Sequence, residues 1–216
     1  MSEGRGILIC IEGIDASGKT TQARLLASEL RSRGLDVVLS TEPTEGRIGK
    51  LIKALLRGQE RPPAMIEAVL FALDRFWHVE RVIKPALEAG KVVILDRYYY
   101  SSLAYQGSAG LDMAWLRQLN SFAPKPDLAI YLDVRPEVAL ARKSKAGQAR
   151  TVLEEESIQE AVRRVYLALV EASELVLVNG EPPVDEVARD VLELVLAKLG
   201  ECGFPGNLIG QPRDRR

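Results

Sequence analysis

The chain is poor in the residues that carry metal and thiol chemistry, with one histidine and two cysteines among 216 residues. Cys10 and Cys202 lack metal-ligand spacing, so two free thiols in a reducing compartment are expected. His78 has no partner pattern and reads as a helix-face residue, not a catalyst. No apolar run is long enough to span a bilayer, and no signal peptide opens the chain. An excess of charge of either sign is also missing, since 29 basic and 30 acidic residues give a net charge of −1. That excludes a broad nucleic-acid or membrane surface and leaves room for a local basic pocket. Internal repeats and low-complexity blocks are absent. A cytoplasmic protein with neither a nucleic-acid nor a membrane partner is the expectation.

The length and a hydrophobic content of 47% suit one domain with a sizeable core. The most informative stretch is Gly13-Ile14-Asp15-Ala16-Ser17-Gly18-Lys19-Thr20, a Gly, four residues, then Gly-Lys-Thr. The apolar run Ile7–Ile11 before it reads as a buried strand. A helical pattern with Ala23, Leu26, Ala27 and Leu30 follows and stops at Gly34. Strand, glycine loop and helix start aim backbone N–H groups and the positive helix end at phosphates. Lys19 is expected to reach the β- and γ-phosphates of a nucleotide, with the Thr20 hydroxyl on Mg²⁺.

Four further apolar runs read as short buried strands: Val37–Leu39, Val92–Leu95, Leu128–Leu132 and Leu175–Val178. Helical stretches alternate with them at about 48–57, 64–89, 112–121, 136–143, 154–173 and 184–199. The alternation predicts an α/β fold, a five-stranded parallel sheet with helices on both faces. Ligands on such sheets bind beyond the carboxyl ends of the strands. The informative residues fall there: the glycine loop, Thr41-Glu42-Pro43, Asp96-Arg97-Tyr98 and Asp133. Pro85, inside a helical pattern, is expected to kink it or mark a boundary. The Gly- and Pro-bearing segment 200–216 is expected to be a flexible tail.

Several of these residues keep two readings. Asp15 either contacts a sugar hydroxyl or metal-bound water, or it shapes the turn. Asp96 can hold the hydration shell of Mg²⁺ and Arg97 can fork onto a phosphate, or the two form a structural ion pair. Phe71 and Arg75 share a helix face and can stack on and hydrogen-bond a base. Otherwise they are a core aromatic and a surface guanidinium. Residues 138–153 hold Arg142, Lys143, Lys145 and Arg150 and no acid, around Ala146-Gly147-Gln148. That is a cationic flap over a phosphoryl group or a solvated basic turn. The stretch 64–89 carries more apolar surface than one helix face buries. Its surplus, anchored by Phe76 and Trp77, is a partner surface or part of one thick core.

Together these pieces resemble the thymidylate kinase family, which phosphorylates dTMP with ATP. Ile11-Glu12-Gly13 through Thr20-Thr21-Gln22 resembles the family P-loop and its flanks, and Thr41-Glu42-Pro43 its second-strand loop. Leu70-Phe71-Ala72-Leu73-Asp74-Arg75 resembles its base-binding helix. Asp96-Arg97-Tyr98 with Ser101-Ser102-Leu103-Ala104-Tyr105-Gln106-Gly107 matches the family signature almost throughout. Leu132-Asp133-Val134 with Pro136-Glu137 matches the lead-in to the family's lid. The likeness covers about residues 6–195 and is nearest to bacterial and archaeal members. It implies a P-loop NTPase fold, a single kinase domain over 1–199 with a short basic lid at about 142–153, Mg²⁺ as cofactor and a homodimer packed through helices.

Position by position, the resemblance implies ATP binding by Gly13, Ile14, Asp15, Ala16, Ser17, Gly18, Lys19, Thr20, Thr21 and Arg142. For dTMP it implies that Phe71 stacks on thymine, Arg75 hydrogen-bonds the base, and Ser102 and Gln106 add base contacts. Tyr105 lies under the sugar and disfavours a 2′-hydroxyl, Asp15 approaches the 3′-hydroxyl, and Arg97 holds the acceptor phosphate. Glu42 and Pro43 shape the acceptor side, while Thr20 and Asp96 serve Mg²⁺. Three departures stand out. Thr41 replaces an Arg common in the family loop, and Arg47 is the candidate to reach the phosphate instead. Ala16 replaces a P-loop Arg of some members, and members lacking it draw catalytic cations from the lid. Thr151-Val152-Leu153-Glu154 replaces a stretch that usually carries a basic residue and an aromatic before the Glu. Lys143, Lys145 and Arg150 are the candidate lid cations, and Arg150 joins Lys19, Asp15 and Arg97 as the expected catalytic set. The function implied is transfer of the ATP γ-phosphoryl to dTMP. Its alternatives are a kinase for another deoxynucleotide or nucleoside, or a non-catalytic nucleotide-binding switch. No Asn-Lys-x-Asp run of a guanine switch occurs.

Overall fold

The computed structural model describes residues 5–58, 62–145 and 156–206. Strands β1 (Ile7–Glu12), β2 (Val37–Thr41), β3 (Val92–Asp96), β4 (Leu128–Asp133) and β5 (Val176–Asn179) form one all-parallel sheet, in the order β2-β3-β1-β4-β5. The helices are α1 (Lys19–Ser32), α2 (Arg47–Arg57), α3 (Ala64–His78), α4 (Lys84–Glu88), α5 (Tyr99–Ser108), α6 (Met113–Leu119), α7 (Pro136–Lys145), α8 (Glu156–Glu171) and α9 (Val184–Glu201). None of the described helices is long and apolar enough to cross a membrane.

Strand alternation sorts the core into two layers. Leu8 and Cys10 of β1 join Val93, Leu95 and Tyr131 on one side of the sheet. Ile7, Ile9 and Ile11 join Val92, Ile94 and Ile130 on the other. The second layer is closed by α1 and α9 through Leu26, Leu30, Val187, Val191 and Val195, at helical spacing. The first is closed by α3, α5 and α8 through Ala68, Leu103, Ala104, Val162, Tyr166 and Leu169. Helix α1 ends at Gly34, whose φ of +90° lets the Leu35 N–H reach back to the Leu30 carbonyl at 3.1 Å.

The structure refines or departs from the sequence expectations at three places. The stretch 64–89 breaks near Pro85, as that residue predicts: α3 and α4 are joined by a π-helical turn over Val79–Ile83. Pro85 sits in the first turn of α4, where it has no N–H to donate, and the wide turn precedes it. Helix α5 has no counterpart among the anticipated helices, because Tyr98-Tyr99-Tyr100 has strand-like character and hides its start. The C-terminal segment does not begin loose: α9 runs past Gly200, and Phe204 packs on the second core layer.

Every strand runs past its apolar run to a polar residue at the carboxyl end: Glu12, Thr41, Asp96, Asp133 and Asn179. The register aligns Thr41 and Ile11 with Asp96, so these ends lie side by side on one edge. Ile9, fully buried at the centre of the sheet, carries much of this frame. Ile9→Ala is expected to cost roughly 2–5 kcal/mol of stability in denaturant unfolding. A loss under about 1 kcal/mol would show that the β1 core does not hold the frame.

Candidate active site

The loop after β1 is shaped by its glycines. Gly13 and Gly18 take φ of +154° and +99°, and Ala16 takes +59°. A Cβ on Gly13 would come within 2.5 Å of Ser17 Oγ and 2.9 Å of the Leu132 carbonyl oxygen. Helix α1 then starts at Lys19 with no acid in its first turn and no side-chain cap among the described residues. Its leading N–H groups and positive end point at the loop. Lys19 is folded into this cradle, where Nζ donates to the Ile14 carbonyl at 2.5 Å and to Ser17 Oγ at 3.4 Å. Burial, helped by the nearby Arg97 charge, lowers its pKa to about 8. The Thr20 hydroxyl donates to Asp96 Oδ2.

A cleft opens over this loop. Residues Asp15 to Gln22 line one wall, with Arg142 and Lys143 of α7 beside them and Gly180 to Val184 opposite. Arg142 donates to the Glu181 carbonyl at 3.0 Å. All of the P-loop positions from Asp15 to Thr21, and Arg142, therefore meet in one cleft. Arg150 lies outside the described residues, as do residues 146–155 around it.

A second cleft lies between α3, α5 and the loop after β2. Asp15, Glu42, Pro43, Phe71, Arg75, Arg97, Ser102, Tyr105 and Gln106 all line it. Asp15 borders both clefts. Arg47 does not line it; it is exposed at the start of α2, while Lys53 and Arg57 of the same helix face the cleft. Arg47 is the first residue of α2, and the cleft-lining Lys53, Leu56 and Arg57 belong to its later turns. Thr44 ties the loop down by donating its N–H and hydroxyl to Asp74, each at 2.7 Å.

Arg75 is not a surface guanidinium. It is 1% exposed, and its Nε donates to Glu42 Oε2 at 2.7 Å. Its Nη1 donates to Asn120 Oδ1 and to Ser102 Oγ. Glu42 is shared with His78, whose Nδ1 lies 3.0 Å from Oε1, while Nε2 lies 2.8 Å from Ser40 Oγ. His78 thus belongs to a buried polar network behind the cleft and not to an open helix face.

Asp96 and Arg97 do not pair with each other. Asp96 turns to Thr20, and Arg97 Nη2 pairs with Asp15 Oδ1. The Arg97 Nη1 group donates to the Gly13 carbonyl at 3.3 Å and to Ser101 Oγ at 3.2 Å, and the guanidinium lies over the Tyr105 ring, 5.3 Å from its centre. Burial, with Asp15 adding to it, pushes the Tyr105 hydroxyl pKa upward, so it stays neutral. Asp133, at the end of β4, is taken by a two-pronged pair with Arg163, at 2.8 and 2.9 Å.

Four groups at the site were not singled out from the sequence. Glu12 is fully buried and accepts from the Tyr98 N–H at 2.7 Å, Ser101 Oγ at 2.6 Å and Tyr166 OH at 2.9 Å. Glu67 lies on the cleft wall one helical turn before Phe71. Lys53 and Arg57 supply further positive charge to the same cleft. The i, i+4 spacing of Glu67, Phe71 and Arg75 is the signal that could have found Glu67.

Comparison with known proteins agrees with this geometry. The family model for thymidylate kinase matches residues 11–191. A protein named probable thymidylate kinase from Pyrococcus abyssi is 47% identical over 201 residues, covering 90% of this chain and 98% of the relative. Its counterpart from Pyrococcus horikoshii is 45% identical over the same length, with the same coverage. A thymidylate kinase from Desulfotalea psychrophila is 40% identical over 193 residues, covering 89% of this chain and 95% of the relative. With the match running across both clefts, the chain belongs to the thymidylate kinase family.

Proposed function

We propose that this chain transfers the γ-phosphoryl group of ATP to the phosphate of dTMP, giving ADP and dTDP. One observation carries the assignment of sites: a phosphate cradle and a base-sized cleft meet at Asp15, with Lys19 on one side and Arg97 on the other. ATP lies on the P-loop, and Arg142 and Lys143 flank it. The nucleotide acceptor lies in the second cleft, its base against Phe71 and beside Arg75, Ser102 and Gln106. Tyr105, packed under Arg97, is proposed to crowd a 2′-hydroxyl on the acceptor sugar.

The acceptor phosphate is already an anion. One of its oxygens forms the new bond to the γ-phosphorus as the bond to the β,γ-bridging oxygen breaks, and ADP leaves with that electron pair. No alcohol has to lose a proton, so positioning and charge stabilisation dominate. Arg97 exchanges Asp15 for the acceptor phosphate, freeing that carboxylate towards the sugar. Lys19 releases the Ile14 carbonyl to meet the transferring group. Lys53 and Arg57, not Arg47, are the α2 cations placed to steer the acceptor. Arg150 is proposed as the lid cation that joins them.

Mg²⁺ fits the residues at the head of α1. The Thr20 hydroxyl and Asp96 carboxylate are hard oxygen donors within hydrogen-bonding reach of each other. Mg²⁺ bound with nucleotides needs only one or two protein oxygens. The ion supplies neutralisation of charge on the phosphate oxygens. A cytoplasmic setting accords with Cys10 and Cys202 both being free thiols.

A homodimer accords with the outer face of α3. Met65, Ile66, Val69, Leu73, Phe76 and Trp77 are each 47% to 56% exposed and lie along one stripe. Phe76 leans edge-on against Phe122 at 5.2 Å, which widens the patch. A second copy packing α3 on α3 about a twofold axis would cover it.

Steady-state assays with ATP test the reaction. kcat/KM for dTMP should exceed that for dAMP, dGMP and the ribose counterpart of dTMP by about 100-fold or more. Equal turnover of all, or ATP hydrolysis with no phosphorylated acceptor, would reject the assignment. The low Lys19 pKa adds a pH signature: above about 8 the free enzyme loses the Lys19 charge, so kcat/KM for ATP should fall as pH rises through that value. Bound phosphates hold the proton, so kcat should bend at a higher pH. A flat kcat/KM profile from pH 7 to about 9.5 would remove Lys19 from ATP binding. Sedimentation at micromolar concentration should give twice the 23.8 kDa chain mass. Phe76→Lys should return it to a single chain, and an unchanged dimer would place the interface elsewhere.

A further inference from the structure

We propose that Glu67 sets the base preference of the acceptor cleft, by fixing which end of the Gln106 amide faces the base. The inference rests on the dTMP reading above and adds the physical source of its selectivity. Both side chains line the cleft beside Phe71 and Arg75, and both are buried, Glu67 at 3% and Gln106 at 2% exposure. Gln106 Nε2 donates to Glu67 Oε2 at 3.3 Å. A carboxylate can only accept, so it draws the NH₂ end of the amide towards itself. The carbonyl end is thereby turned away, and Gln106 Oε1 has no partner among the described residues.

A buried acceptor without a donor is a standing demand on whatever enters the cleft. Thymine and uracil meet it, because their ring N3 carries a hydrogen. Cytosine does not, because its N3 presents a lone pair and would set acceptor against acceptor. An amide free to turn over would offer its NH₂ to that lone pair and weaken the distinction, leaving only the Arg75 donors to oppose the cytosine 4-amino group. Glu67 blocks this turnover. It acts through Gln106 and is a positioning residue. The opposite wall has no comparable freedom, since Arg75 only donates and is held by Glu42, Asn120 and Ser102.

The test measures kcat/KM for dTMP and dCMP, with ATP as donor, in Glu67→Gln. A glutamine at this place can donate or accept, so both orientations of the Gln106 amide become stable. The dTMP-to-dCMP ratio should fall at least about tenfold, through a higher KM for dTMP and a gain with dCMP. kcat for dTMP should stay within about twofold and KM for ATP should be unchanged. Gln106→Leu removes the amide itself and should lower the ratio as well. Glu67→Gln placed on Gln106→Leu should then change the ratio no further. A folded Glu67→Gln enzyme with the wild-type ratio overturns the proposal. So does an equal loss of kcat with both acceptors, or a further fall of the ratio in the double variant. Failure of the wild-type enzyme to phosphorylate dTMP would instead overturn the functional reading.

Discussion

Both clefts depend on the buried carboxylate of Glu12. It closes β1 immediately before Gly13, and its two oxygens are taken by the Tyr98 N–H, Ser101 Oγ and Tyr166 OH. These groups come from the turn after β3, from α5 and from α8, so one side chain joins three elements to the start of the P-loop. Burial pushes its pKa upward, while the hydrogen bonds and the Arg97 charge pull it down. Taking a carboxylate into the core is costly unless donors meet its lone pairs, and three donors meet them here. The clamp also holds Arg97 at φ +72°, a conformation that costs a non-glycine residue about 1–2 kcal/mol. That turn aims the guanidinium back across β1 at Asp15 and the Gly13 carbonyl.

Helix α3 shows how one element serves three demands. Ala68 and Ala72 are small and face the core, which lets the helix lie close to its neighbours. Glu67, Phe71 and Arg75 form the cleft wall at a spacing of one turn. Met65, Ile66, Val69, Leu73, Phe76 and Trp77 face outward. The polar residues of the wall are set by deeper layers. Arg75 rests on Glu42, Glu42 on His78, and His78 on Ser40, each within hydrogen-bond distance. Removing one partner from such a buried pair costs about 3–5 kcal/mol, because the other charge is left uncompensated. Selectivity in this cleft is therefore tied to stability.

The carboxyl edge of the sheet was legible because its signals are local. Five apolar runs gave the strands, and the glycine loop, Glu42-Pro43, Asp96-Arg97 and Asp133 stood at the ends of four of them. Phe71 and Arg75 could be paired because helix spacing is periodic, but the surface alternative for Arg75 fell only when Glu42 and Asn120 appeared beside it. What escaped was set by distance along the chain. Glu12 reaches Tyr166 across a separation of 154 residues, and an acid at the end of an apolar run carries no mark of that partner. Helix α5 escaped because its aromatic start resembles a strand. Arg47 follows Pro43 closely in the chain, but nearness in sequence does not tell that Lys53 and Arg57 are the α2 cations that line the cleft. The family likeness carried residue types across these gaps but not the network behind them.

The central claim is that acceptor and donor meet between Lys19 and Arg97, with Asp15 handed from Arg97 to the sugar. A crystal structure of the chain with ADP and dTMP bound together tests it most directly. The account predicts the β-phosphate on the loop N–H groups and Lys19, and the thymine ring against Phe71. It further predicts the dTMP phosphate on Arg97, with the Arg97–Asp15 pair opened. An acceptor seated outside the second cleft would contradict it, as would a bound pair that leaves Arg97 on Asp15 and away from phosphate.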